Sequence, residues 1–144
     1  MATAWSEIEA DFQKRVKDTV SECETKAQSC AVRASNQLRN AALSVLRGAR
    51  SGKRYKKPGS SSRYTASAPG EPPAVRTGTL RRSWGLIAKG DSKKGSYTAG
   101  IYTDVKYANY LEEGTGKMSA RPYRDAIIEK AQPKIESIFN SLTK

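Results

Sequence analysis

Few side chains in this sequence have the types and spacing that catalysis or metal binding needs, and those few do not converge. Histidine, the commonest general base, is absent. Cys23 and Cys30 are the only cysteines. On one helix their spacing is a rise of about 10.5 Å, beyond the roughly 7 Å between Cα atoms that a disulfide spans. They share a helical face and read as small side chains in a helix seam, with a bridge between two copies as the alternative. Two thiolates without histidine do not close a zinc site. Glu112 and Glu113 are neighbours, so on a helix they diverge, and Asp104 and Asp125 have no evident partner. Gly114-Thr115-Gly116-Lys117 ends as a phosphate-binding loop does, but the first glycine of such a loop would fall at Leu111, after a helix and not a strand. The expectation is no enzymatic activity, no cofactor and no metal.

The charge points elsewhere. The chain of 144 residues carries a formal net charge of +12. Residues 31–82 hold twelve Lys/Arg and a single acid, Glu71, so this stretch supplies nearly all of the excess. Such a block calls for a polyanionic partner, either nucleic acid or an acidic protein surface. Its densest part is Lys53, Arg54, Lys56, Lys57 and Arg63, interleaved with Tyr55 and Tyr64. Cations beside tyrosines suit phosphate contact with base stacking, although no recognised nucleic-acid motif accompanies them. No apolar run approaches the roughly 20 residues of a membrane span. Residues 1–7 lack the basic start and apolar stretch of a secretory leader, so the expected place of synthesis and assembly is a cytosol.

Three clusters stand out in the second half, and the first two read as contact surfaces. In Arg76-Thr77-Gly78-Thr79-Leu80-Arg81-Arg82-Ser83, Leu80 anchors a glycine turn, and Arg76, Arg81, Arg82 and Trp84 form a partner-facing patch, Arg with Trp being a common interface pairing. In Tyr107-Ala108-Asn109-Tyr110-Leu111-Glu112-Glu113-Gly114-Thr115, Tyr107 and Tyr110 fall on one helical face, and Glu112 and Glu113 are the local acids that could meet Arg81 and Arg82, either within one subunit or on the next. The third is Ala120-Arg121-Pro122-Tyr123. Solvated charges and core tyrosines are the plainer alternative for the first two. A head-to-tail ring needs two different complementary patches, and this chain offers one basic and one acidic.

The elements that carry these clusters follow from periodicity. Apolar or small residues recur every 3 or 4 positions from Trp5 to Val45, which predicts a long helix starting near Ser6, with Ser6 and Glu9 as a capping box, and ending at Gly48. Unbroken, it would be about 63 Å long. It therefore either breaks near Ser29–Ser35 or projects to pack on a neighbouring subunit. Residues 49–75 read as a Pro/Gly/Ser-rich loop. Ser83–Lys89 and Ser96–Thr103 read as a β-hairpin, with a further short strand near Ala74–Thr77. Val105–Glu113 reads as a short helix closed by Gly114, and a terminal helix begins near Arg121-Pro122, with Pro133 expected to kink or split it. The fold class is α+β in a single domain, 1–144: a helical arm (1–48), a basic loop (49–75) and an α+β core with a C-terminal helix (76–144).

The ordered set of a Pro-rich lead-in, Thr77-Gly78-Thr79-Leu80-Arg81-Arg82-Ser83, a hairpin, Tyr107–Thr115, Ala120–Tyr123 and a terminal helix resembles the tailed-bacteriophage tail-component family, whose members serve in head–tail joining. The resemblance covers about residues 68–142. It departs in the long basic loop 51–67 and in Tyr123, where the family often has phenylalanine. It implies a structural virion protein of the neck, assembled in the host bacterial cytoplasm as a homo-oligomeric ring, hexameric by analogy. Its implied partners are the head-side connector, adaptor or stopper and the tail terminator or tail tube protein. DNA would pass through the lumen without sequence-specific binding, and no membrane is involved. The alternative function is a basic nucleic-acid-binding module; an RNA-assembly factor ranks third.

Overall fold

The computed structural model describes residues 4–144. The fold is α+β: a long N-terminal helix, two small antiparallel sheets, a short helix and a C-terminal helix. Helix α1 runs from Ala4 to Arg47 without interruption, about 66 Å at 1.5 Å per residue. Ser29–Ser35 does not break it, since no Gly or Pro occurs within its span and Cys30, Ala31, Ala34 and Ser35 are buried against the body. The helix is already formed at Ala4, so Ser6 sits inside it and not at a cap. Residues 1–3, part of the stretch searched for a leader, lie outside the described residues.

The basic stretch 49–75 is more ordered than a loop. Arg54–Lys56 (β1) and Arg63–Thr65 (β2) pair as an antiparallel hairpin. Pro72 and Pro73 then lead through Ala74–Thr77, where no strand forms; prolines carry no N–H to donate to a ladder. A single helical turn, α2 (Thr79–Arg82), precedes the second hairpin, β3 (Trp84–Asp91) with β4 (Ser96–Thr103), paired along its whole length from Trp84↔Thr103 to Asp91↔Ser96. Helix α3 (Ala108–Glu113) and helix α4 (Arg124–Asn140) complete the body. Helix α4 continues through Pro133 without a split. Pro133 is exposed, so the carbonyl deprived of its partner one turn earlier, on exposed Glu129, can turn to water.

The core gathers the C-terminal half of α1, Leu80, Ala108, Tyr123 and α4. Ala41, Ala42, Leu46, Leu80, Ala108, Tyr123, Ile127 and Ala131 form one buried cluster, with Leu38, Trp84, Ile101, Leu111 and Ile135 against it. Along α1 the buried positions apart from Leu46 are small: Cys30, Ala31, Ala34, Ser35, Ala41 and Ala42. Small side chains let the sheet and α4 approach the helix axis. Ser35 fixes the sheet, its hydroxyl donating to the Ile87 carbonyl and accepting the Gly100 N–H at 3.2 Å. Gln28 donates to the Ala88 carbonyl at 3.3 Å. Cys30 faces α4, its thiol 3.7 Å from the Ile138 carbonyl, while Cys23 is exposed; both are free thiols. The seam reading therefore holds for Cys30 and not for Cys23.

Candidate interaction surfaces

Helical geometry extends the apolar stripe of α1 beyond the body. From Trp5 to Cys23 every side chain is exposed. The stripe in this segment consists of large residues, with Trp5 80% exposed, Ile8 60%, Phe12 65%, Val16 46% and Val20 50%. A solvated surface helix normally hides such a face. The segment is also acidic, with five acids against three cations, whereas the rest of the chain has 23 Lys/Arg against nine acids. Arg15 spends its charge locally on Asp11, at 2.9 Å.

The β1–β2 hairpin displays the five cations singled out in the sequence. Its register pairs Arg54↔Thr65, Tyr55↔Tyr64 and Lys56↔Arg63. Side chains alternate between the two faces of a strand, so Tyr55 and Tyr64 share one face, and Arg54, Lys56 and Arg63 the other. The two tyrosine rings meet at 6.1 Å with a 35° tilt. The turn, Lys57-Pro58-Gly59-Ser60-Ser61-Ser62, closes with Lys57 N–H donating to the Ser62 carbonyl at 2.8 Å. Lys53 lies at the base of the hairpin, its carbonyl accepting Ala66 N–H at 2.8 Å.

Sequence reasoning gave no contact role to Glu71, which closes the base of this hairpin, or to Arg121, which ties it to the segment before α4. Glu71 accepts hydrogen bonds from the Ser51 hydroxyl, from Ser51 N–H at 3.1 Å and from Ala68 N–H at 2.9 Å. These donors, the Ser51 hydroxyl first, hold its carboxyl down to about 2. Arg121 donates through its guanidinium to the carbonyl and hydroxyl of buried Ser67 and to the Ala68 carbonyl at 3.4 Å. The signal for Glu71 was its isolation as the lone acid in residues 31–82; that for Arg121 was its place in a quoted cluster.

The other predicted contacts divide. Gly78 takes φ +81° at the start of α2, and Arg82 folds back on that turn, reaching the Gly78 carbonyl at 3.3 Å and the Thr77 carbonyl at 3.2 Å. Arg76 and Arg82 are exposed and Arg81 is half-buried. Trp84 turns inward instead of outward: its ring lies edge-on to Tyr123 at 6.1 Å, because its face of β3 also carries Ile101 across the ladder neighbour Leu86 and packs on the core. Its indole N–H is buried without a partner.

Tyr107 and Tyr110 remain on the surface, the latter 60% exposed. Within the chain Glu112 pairs with neither Arg81 nor Arg82. It accepts the N–H groups of Tyr123 at 2.9 Å and Arg124 at 3.2 Å, capping the start of α4 where orphan donors and the helix dipole favour an anion. Glu113 is exposed. Gly114 (φ +79°) lets the chain turn beneath Ala120, whose N would lie 2.7 Å from any added Cβ. The Ala120–Tyr123 segment is thus a scaffold. Tyr123 is buried and donates to the Ala108 carbonyl at 3.0 Å, burial raising its phenol above the ordinary range.

Among the described residues no group of three or more acids or cysteines is placed to hold a metal, and no helix is long and apolar enough to cross a membrane. A search of curated proteins and of solved structures found no match to the chain. A family model described as "Bacteriophage HK97-gp10, putative tail-component" matches residues 6–114. The match begins at Ser6, takes in the rest of the exposed half of α1 and ends before Arg121. Spanning the arm, both hairpins and α3, it establishes that the chain belongs to the HK97-gp10-like family of phage tail components.

Proposed function

We propose that this chain is a structural, non-catalytic subunit of the phage neck. Copies assemble head-to-tail into a hexameric ring that joins the head connector to the tail, with DNA passing through the lumen. The carrying observation is the exposed stripe Trp5, Ile8, Phe12, Val16 and Val20 on an arm that its own body does not cover. Each large apolar side chain covered by a neighbour is worth roughly 1.5–3 kcal/mol. The acidic arm and the basic remainder are two different, complementary surfaces, which is what a head-to-tail interface requires. Arg76, Arg81, Tyr107, Tyr110 and Glu113 on the body are the remaining candidates for contact with a second copy or an adjoining ring.

Two measurements test this reading. Electron microscopy of particles made without the gene should show filled heads and finished tails lying apart; joined particles would end the neck assignment. Sedimentation of the purified chain should show a closed oligomer that Phe12→Asp with Val16→Asp converts to a folded monomer. A wild-type monomer, or an oligomer indifferent to those changes, would remove the arm from assembly.

A further inference from the structure

We infer that the cation face of the β1–β2 hairpin is a contact for the phosphate backbone of double-stranded DNA. The register places Lys56 directly opposite Arg63, with Arg54 on the same face. Like charges facing each other across a ladder oppose pairing, and a two-stranded hairpin is marginal to begin with. Yet no acid answers them: among the described residues the only ion pair is Arg15 with Asp11. Glu71, the one acid in residues 31–82, is committed to Ser51 and Ala68. The body therefore holds out a surface of one sign, braced at its base by Glu71 and Arg121, whose repulsion an external polyanion would relieve. Lys57 adds a fourth charge at the turn, beside an open groove lined by Lys56, Pro58, Gly59, Ser60 and Ser61.

Two features favour a duplex backbone over other polyanions. The tyrosines that would stack on unpaired bases lie on the opposite face and lean on each other, so phosphate contact and stacking cannot be made together from one side. This argues against a single strand. This face carries no apolar anchor of the kind that fills the core of a protein–protein interface, which argues against an acidic protein. The guanidinium forks of Arg54 and Arg63 and the ammonium of Lys56 suit phosphates, which are contacted without reading sequence. The inference rests on the hairpin alone and does not depend on ring formation.

The test is fluorescence anisotropy of the full chain with a short labelled duplex of mixed sequence. With about four phosphate contacts, log K should fall with log salt at a slope of about −3.6 between about 50 and 200 mM. Lys56→Ala with Arg63→Ala should weaken binding at least about tenfold at the low-salt end and reduce the slope by about 2. That pair removes a repulsion, so it does not threaten the hairpin. Lys56→Arg with Arg63→Lys should restore binding. Lys14→Ala with Lys17→Ala removes the same charge from the arm and should leave affinity unchanged. Any of four results overturns the inference: no duplex binding at low salt, equal losses from the hairpin and arm pairs, tighter binding to the single strand or to RNA, or hairpin variants that keep duplex binding but fail to dock on a neighbouring neck ring.

Discussion

The two halves of α1 obey the same helical geometry and opposite rules of residue size. The half inside the body buries Cys30, Ala31, Ala34, Ser35, Ala41 and Ala42, with Leu46 its one large, fully enclosed side chain. The half outside presents Trp5, Ile8, Phe12, Val16 and Val20 to water. Hydrophobic bulk is therefore concentrated where this chain alone gives it nothing to touch. In the inner half the partner is already present, and small side chains let it come close. In the outer half no part of the chain covers the large residues, which is the arrangement that the proposed contact with a second copy requires.

The strongest way to break this contrast is to truncate one large residue in each half. Leu46→Ala should cost about 2–5 kcal/mol in chemical denaturation, the usual range for a buried leucine. Phe12→Ala should change the stability of the monomer by no more than about 0.5 kcal/mol while weakening self-association. Equal losses in the monomer would mean that the arm folds back onto its own body. A middle-sized effect is expected at Glu112→Ala, which removes the acceptor at the start of α4: about 1 kcal/mol, as for lost helix caps. Thermal melting would detect it, and no change would reassign Glu112 to the surface.

The smallest effect sharpens the comparison between hairpin and arm. Glu71 has a folded carboxyl pKa of about 2, below the unfolded value near 4.5. Its contribution is therefore present above about pH 4.5 and lost as pH falls toward 2. The melting temperature of Glu71→Gln, subtracted from that of the parent, should give a difference that shrinks across this window. Hydrogen exchange should show the change in Gly52–Ser67 and leave Trp5–Cys23 unaffected. A difference independent of pH would mean that the hairpin is not held through that carboxylate.

What the sequence revealed depends on how local the determining interaction is. The helix ending at Gly48 and the strand Ser96–Thr103 were legible because period and punctuation lie within the segment itself. The β1–β2 hairpin was not: Arg54-Tyr55-Lys56 and Arg63-Tyr64-Thr65 have no aliphatic residue to signal alternation, and their anchors, Glu71 and Arg121, are remote in the chain. Sequence placed Trp84 correctly on a strand but on the wrong face, because its direction depends on which face of β3 meets the core. Glu112 was read as a surface charge for a similar reason, its partners lying eleven and twelve residues ahead on another helix. The reading of Arg54, Lys56, Arg63 and the tyrosines as one mixed surface failed on register, which sorts them onto two faces.

The absence of any glycine or proline between Ala4 and Arg47 has a mechanical meaning. A continuous helix has no joint at which to dissipate a displacement. A tilt imposed on Trp5 by whatever grips the arm is delivered to Leu46, and through Ser35 and Cys30 to the sheet and α4, as rotation of the entire body. In the proposed ring, the helix would act as a lever whose fulcrum is the core, turning strain at the arm's tip into a change of orientation at the far side of the body.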